Sequence, residues 1–354
     1  MDTNIRSSIS PLEAGIQWIP ASDPRFTING LPWFAENQGA FVRLPKRAQG
    51  VVRDVVWDLG TMPSGGRVRF KTDSTNLKLR IQHSRPEIAM TNMCAVGVSG
   101  IDLYEGPPSK MRYWKSSQPT QPKSTYVWDY FTKLPRQLRE FTLYLPVHND
   151  LVLLEIGIDA GAVIQPPTPF RLAKPVVFYG MSITQGACSA RPATGYVPTA
   201  GRQMGIDVVN LGFAGNGKCD LELIDFIAGL DMACFVNDCV PNMKMEEMQA
   251  RYASFHEKIR ARHPDLPILL MTSFGWAQDN YIPGWCDAQN ALAVATWKQF
   301  RDHGDKNMHL LDCREIIGLE SDHPSVDGVH LTDLGFKRLA DAVAAVLQRI
   351  LNLL

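Results

Sequence analysis

Apolar and polar positions split this chain into two unlike halves. Up to about residue 165, short segments of β character are separated by turn-forming residues. Residues 68–82 (VRFKTDSTNLKLRIQ) alternate apolar and polar side chains around a turn at Asp73 and Asn76, the pattern of a hairpin or meander. Further strands are expected at 50–59, 95–104, 124–132, 140–146 and 151–158, with turn signals at Pro63, Gly106 and Asn149. Many short strands with little helical periodicity predict a β sandwich or jelly roll. The stiff QPPTPF stretch (165–170) reads as a connector, so the expected division is a β domain over 1–168 and a second domain over 169–354. From Lys174 the rhythm changes. Apolar runs at 175–179, 206–211, 232–237, 266–272 and 308–312 alternate with helical patterns at 220–230, 245–263, 285–303 and 332–354. That alternation predicts a parallel sheet covered by helices on both faces.

Candidate chemistry gathers where the strands of the second half end. The apolar run 175–179 breaks at Gly180, and Ser182 follows in a tight GMSITQG turn. Such a position, past the C-terminal end of a buried strand, is where α/β proteins hold their sites. A serine hydroxyl needs a base, and the base needs an orienting group. Of eight histidines, His256 and His263 fall on a charged helix and are expected in solvent. His303 falls at a helix end, His309 in a strand, and His83 and His148 in the β half without an evident companion. His323 (SDHP) and His330 (DGVHLTDLGF) remain, and Asp327 precedes His330 by three residues, so both side chains can turn to one point. Two further strand ends carry anion-binding features. NLGFAGNG (210–217) has three glycines whose amides can approach an anion closely, and VNDCVPNM (236–243) presents Asn242, an uncharged donor.

Together these four elements, in this order, resemble the SGNH (GDSL-type) hydrolases. Ser182, Gly215, Asn242, and Asp327 with His330 match that family's successive blocks over about 174–350. The PNM and DGVH-x-TDLG strings are similar to a subgroup whose N-terminal β sandwich carries a GxDLY motif, and 100–104 here read GIDLY. The resemblance implies a flavodoxin-like three-layer α/β/α hydrolase domain preceded by an all-β, jelly-roll-like sandwich. It implies Ser182 as nucleophile, His330 as base and Asp327 as its orienting acid, with the Ser182 and Gly215 amides and the Asn242 side chain forming an oxyanion hole. Met181 stands where the name-giving motif has Asp, which leaves the triad intact but alters how the turn is stabilised. Asp102 and Tyr104 of GIDLY, and Trp276 and Trp285 in an aromatic stretch over 274–290, are expected substrate contacts.

Composition narrows the setting. With 36 basic and 36 acidic side chains, the chain has no net charge and no basic cluster, so neither nucleic acid nor an anionic membrane is an expected partner. The polar N-terminus and the lack of a long apolar run predict neither a signal peptide nor a membrane span. Seven scattered cysteines without metal-ligand spacing read as buried free thiols in a cytoplasmic protein, with no metal and no cofactor. The expected function is hydrolysis of small O-acyl groups, acetyl esters of a sugar or polyol, on a small-molecule substrate. An acyltransferase with the same triad, and a carbohydrate-binding protein with an inert hydrolase-like half, are the alternatives.

Overall fold

A computed structural model describes residues 15–120, 125–318 and 321–353. The polar N-terminal decapeptide and Ser124 lie outside them. In chain order the elements are β1 (Ile16–Pro20), β2 (Thr27–Asn29), α1 (Asp54–Gly60), β3 (Arg67–Thr72), β4 (Leu77–Gln82), α2 (Ala95–Ser99), β5 (Asp102–Glu105), β6 (Arg112–Ser116), β7 (Tyr126–Phe131), β8 (Arg139–Tyr144), β9 (Leu153–Asp159) and β10 (Ile164–Gln165). There follow β11 (Val176–Gly180), α3 (Ser182–Gln185), α4 (Tyr196–Met204), β12 (Val208–Gly212), α5 (Leu221–Ala228), β13 (Cys234–Asp238), α6 (Met245–Arg262), β14 (Ile268–Met271), α7 (Asp287–Asp302), β15 (Met308–Leu311) and α8 (Asp333–Ile350).

The first ten strands make two antiparallel sheets, ordered β1-β9-β4-β7 and β10-β3-β8-β5-β6, with β2 added beside β3. Their facing sides share one core: Val68 and Phe70 of β3 and Phe141 and Leu143 of β8 meet Leu77, Leu79 and Ile81 of β4 and Ile156 and Ile158 of β9. The alternation over 68–82 is therefore real, but it is not a hairpin. β3 pairs with β8 while β4 pairs with β9, so the 73–76 turn carries the chain from one sheet to the other. Residues 50–59, expected as a strand, contain helix α1. Val56 and Leu59 are its buried side chains, with Val52 buried just before it, a helical spacing that the β-branched composition disguised. They pack, with Trp33, Leu44 and Met62, against the core of the second half rather than inside the sandwich. The first half of 95–104 is likewise helical, as α2.

The second half is a five-stranded parallel sheet in the order β12-β11-β13-β14-β15. Alternation along the central strand explains its two helical layers. Val177 and Tyr179 point to the side of α5, α6 and α7, and Val176 and Phe178 to the side of α4 and α8. Helix α4 was not among the expected helices, and it contains both Pro198 and Gly201. Pro198 sits in its first turn, where no N–H is needed, and Gly201 lies against Val208. Among the described residues no helix is long and apolar enough to cross a membrane.

The two halves are locked by buried polar contacts. Asp102 is fully buried and accepts from Ser116 Oγ at 2.6 Å, Arg191 at 3.0 Å and the Ala193 amide at 2.8 Å. Arg67 pairs with Asp207, and Arg53 with Asp220 at 2.8 Å. Arg43 is wholly buried, without a carboxylate partner among the described residues. Its guanidinium donates to four carbonyls, among them Asn210 O at 3.1 Å and Gly212 O at 2.5 Å on β12. Burial alone pushes that guanidinium down to about 9. The connector is pinned too, since the Thr168 amide and hydroxyl both donate to Glu140, at 3.0 and 2.6 Å.

Candidate active site

The nucleophile turn is built by close approach. A Cβ on Gly180, at the end of β11, would fall 2.1 Å from Thr184 Oγ1, so only glycine fits there. Gly186 closes α3 with φ of +107°, a left-handed conformation that again favours glycine. Thr184 Oγ1 accepts from the Met181 amide at 3.0 Å and donates to Asp238 Oδ2 at 2.8 Å, and the Tyr196 hydroxyl donates to the same oxygen at 2.8 Å. This network holds the turn in which Met181 replaces an acidic residue. Asp238 has no cation beside it among the described residues, and burial pushes its carboxyl up to about 7.

Three loops converge on that turn. After β12, the Phe213 amide donates to Gly180 O at 2.9 Å and the Ala214 amide to Gln185 Oε1 at 3.0 Å. A Cβ on Gly217 would lie 2.1 Å from Gly180 O. Gly215 sits between these anchors at φ +67°, with open space on its Cβ side. After β13, one turn of 3-10 helix (Val240–Asn242) carries Asn242, whose Nδ2 is buried and has no hydrogen-bond partner among the described residues. An unsatisfied buried donor costs about 1–3 kcal/mol unless something supplies an acceptor.

Before α8, the third loop brings Asp327 and His330 to the serine. His330 Nε2 lies 3.0 Å from Ser182 Oγ, and His330 Nδ1 lies 2.8 Å from Asp327 Oδ2. Asp327 Oδ1 accepts the Val329 and His330 amides at 3.0 and 2.7 Å, and its Oδ2 accepts from Asn92 Nδ2 at 2.8 Å. Partial burial pushes this carboxyl up. The His330 amide and ring, Asn92 and Val329 outweigh that and hold it well below the usual carboxylate range. An ionised Asp327 only accepts, so the ring proton belongs on Nδ1 and the Nε2 lone pair faces the Ser182 hydroxyl. That order of donors can move a proton off the serine.

Two neighbours were not foreseen. Cys188 Sγ lies within 4.8 Å of the nearest Asp327 oxygen and His330 nitrogen, and burial followed by Asp327 pushes its thiol up to about 12, so it stays protonated. His148 is buried with Nδ1 3.3 Å from Gln185 Nε2, and burial, then Arg43, His330 and Arg85, push it down to about 3. Cys188 follows Ser182 by six residues but meets Asp327 and His330 only across the fold, and His148 comes from the β half, so spacing revealed neither.

Of the four expected substrate contacts, Asp102, Tyr104 and Trp276 are buried in contacts of the fold and Trp285 is exposed. Asp102 has no exposed surface and its oxygens are taken by the contacts between the halves. Tyr104 is buried with its hydroxyl 2.7 Å from Arg191. GIDLY thus grips the catalytic half instead of substrate. Trp276 is buried, stacked on Phe274, with its indole N–H on Ser273 Oγ at 2.7 Å. Trp285 is exposed. A cavity of about 320 Å³ does occur in the aromatic stretch, lined by Phe274, Asp279, Cys286, Asn290 and Arg314, but neither tryptophan lines it. His256, expected in solvent, is buried between Asn237 Nδ2 at 2.8 Å and Tyr252 O at 2.7 Å, and burial pushes it down to about 4. All seven cysteines are free, six buried and Cys94 exposed.

Comparisons with known proteins agree with this architecture. The family model for the GDSL-like lipase/acylhydrolase family matches residues 173–348, and that for the GxDLY N-terminus of Esterase_SGNH_hydro-type matches residues 16–164. Among solved structures, one described as a GDSL-like lipase of Bacteroides ovatus ATCC 8483 is 27% identical with TM-score 0.86, covering 95% of this chain and 98% of its own. A salicylyl-acyltransferase from a tetracycline biosynthetic pathway is 20% identical with TM-score 0.79, covering 96% and 99%. A family two carbohydrate esterase from Cellvibrio japonicus is 15% identical with TM-score 0.61, covering 96% and 98%. The last two show likeness of fold alone. No curated protein matches the sequence significantly.

Proposed function

The chain belongs to the GDSL-like lipase/acylhydrolase family, with the family's GxDLY N-terminal domain, and from that premise we propose that it is a serine carboxylester hydrolase acting on small O-acyl groups. One observation carries the reading: the relay from Asp327 Oδ2 through His330 to Ser182 Oγ, at 2.8 and 3.0 Å. In the first step Ser182 Oγ bonds to the ester carbonyl carbon while its proton passes to His330 Nε2. The carbonyl electrons move onto oxygen, where the amides of Ser182 and Gly215 and the Nδ2 of Asn242 donate to the oxyanion. Collapse breaks the bond to the alcohol, which takes the proton from His330 and leaves an acyl-enzyme. Water, deprotonated by the same histidine, then releases the acid. The unpartnered Asn242 Nδ2 supports the oxyanion role, because its missing acceptor is what such an intermediate supplies.

The substrate we propose is an acetyl ester of a sugar or polyol, a small uncharged molecule. The chemistry needs no metal or cofactor. Carbohydrate esterases among the fold neighbours support the substrate class, and the salicylyl-acyltransferase supports a second reading, transfer of the acyl group to an alcohol. The intact relay speaks against an inert binding protein. We place the boundary between the domains at 168/169, within the connector, and the free thiols support a cytoplasmic setting. The test is turnover of p-nitrophenyl acetate and acetylated sugars by wild type and Ser182→Ala, with and without alcohol acceptors. Release of acetate that vanishes in the variant supports hydrolysis. Acylated acceptor in place of acetate supports transfer. Equal turnover by both proteins overturns the mechanism.

A further inference from the structure

We infer that Asn92, supplied by the N-terminal β domain, is a positioning residue for the catalytic acid, so that the relay is complete only when the two halves are docked. The inference rests on the serine-hydrolase reading above. Its basis is the 2.8 Å hydrogen bond from Asn92 Nδ2 to Asp327 Oδ2, the same oxygen that accepts His330 Nδ1–H. A carboxylate has no proton to give, so the amide nitrogen, not the amide oxygen, must face it. Asp327 Oδ1 is held by two amides of its own loop, and Oδ2 is shared between His330 of that loop and Asn92 from outside it.

The segment that carries Asn92 is fastened to the catalytic half beside the nucleophile turn. Next to Asn92, Met93 is buried with Val98 and Val147 of the β domain against Ala187 and Cys188. Cys94 Sγ donates to Ala190 O at 3.4 Å. Gly97 comes so near the catalytic half that a Cβ would sit 2.4 Å from Ser189 O. These contacts deliver the Asn92 amide to a point fixed relative to both Asp327 and the α3 turn that holds Ser182. Asn92 is itself only part-buried and sits outside any strand or helix.

Two effects on catalysis follow. Asn92 limits rotation of the Asp327 carboxylate, which keeps Oδ2 in line with His330 Nδ1. It also draws electron density from Oδ2, which makes Asp327 a weaker acceptor for the imidazolium formed when Ser182 is deprotonated. Losing the amide should therefore lower kcat through misalignment while making the histidine base easier to protonate. The second effect moves the acid limb of the rate profile to higher pH, a response that a purely structural residue has no reason to produce.

The experiment compares wild type, Asn92→Ala, Asn92→Asp, Gly97→Ala and Ser182→Ala as full chains, measuring kcat and KM for p-nitrophenyl acetate across pH. Asn92→Ala should lose about 10-fold in kcat with little change in KM, and its acid limb should move up by about half a pH unit. Asn92→Asp places a second carboxylate against Asp327 and should lose more and shift further in the same direction. Gly97→Ala lifts the docked segment with Asn92 intact and should shift the limb the same way, which keeps the inference testable if the Asn92 variants fold poorly. Unchanged kcat and an unmoved acid limb in Asn92→Ala and Asn92→Asp, or an unmoved limb in Gly97→Ala, overturn the role of Asn92. Ser182→Ala separates this from failure of the underlying reading. If it loses turnover while the Asn92 variants do not, only Asn92 is refuted. If it keeps turnover, the serine mechanism falls and Asn92 with it.

Discussion

Replacing Asp238 with asparagine should change how stability depends on pH, by an amount the structure sets. Asp238 lies beneath the nucleophile turn, almost without exposed surface, and Thr184 and Tyr196 are its hydrogen-bond donors at 2.8 Å each. Burial raises its carboxyl from an ordinary 3.8 to about 7. A group raised in the folded chain holds its proton more tightly there than in the unfolded chain, so stability falls as pH rises. The gap corresponds to about 4 kcal/mol, fully present below about pH 4 and gone above about pH 7. Of this, about 3 kcal/mol should disappear between about pH 5 and pH 8. The amide of the variant does not ionise, and its carbonyl oxygen can still accept from both hydroxyls. Buried His148 and His256 have the opposite sign: their depressed values cost stability as pH falls below the ordinary histidine range, down to about 3 and 4. They are present in both proteins and cancel in the difference. Urea unfolding of wild type and Asp238→Asn at the two pH values gives the answer. Wild type should lose about 3 kcal/mol more than the variant across the interval. Parallel losses in the two proteins would refute the claim that Asp238 is a protonated, uncompensated carboxyl near neutrality.

Two further outcomes concern the oxyanion and the contact between the halves. Asn242→Ala should lower kcat about 100-fold with little change in KM, since its bond strengthens only as charge develops, and steady-state kinetics on p-nitrophenyl acetate check it. A raised KM with normal kcat would place Asn242 in ground-state binding instead. Arg191→Ala leaves the fully buried Asp102 without its cation and should destabilise the protein by about 3 kcal/mol, read as a fall in the urea midpoint. An unchanged midpoint would mean that GIDLY contributes nothing to docking.

The parallel-sheet half was legible because its strands are short apolar runs and its helices carry long apolar periods. Ser182, Gly215 and Asn242 also fall just past strand ends, and Asp327 and His330 just before the last helix, where topology brings the loops together. The β half was less legible. A period of two marks β3 and β4 as strands but does not say which sheet each joins, and valine-rich 50–59 hid a helix whose buried side chains face the other domain. Burial of polar residues escaped as well. Asp102 and Tyr104 looked available in an alternating strand, yet Arg191, far along the chain in the other half, takes them up. The bond from Asn92 to Asp327 spans 235 positions, and no local pattern announces a partner at that distance. The departure at Met181 was visible. Its compensation through Thr184, Tyr196 and Asp238 was not, since it needs α3, α4 and the end of β13 to meet.

The central claim is that Ser182 Oγ is the nucleophile activated by His330. It is tested most directly by intact-protein mass spectrometry and peptide mapping after exposure to a fluorophosphonate. The account predicts a single adduct on Ser182 in wild type, absent in Ser182→Ala and formed much more slowly in His330→Ala. An adduct elsewhere, or labelling of Ser182 at the same rate when His330 is removed, would contradict it.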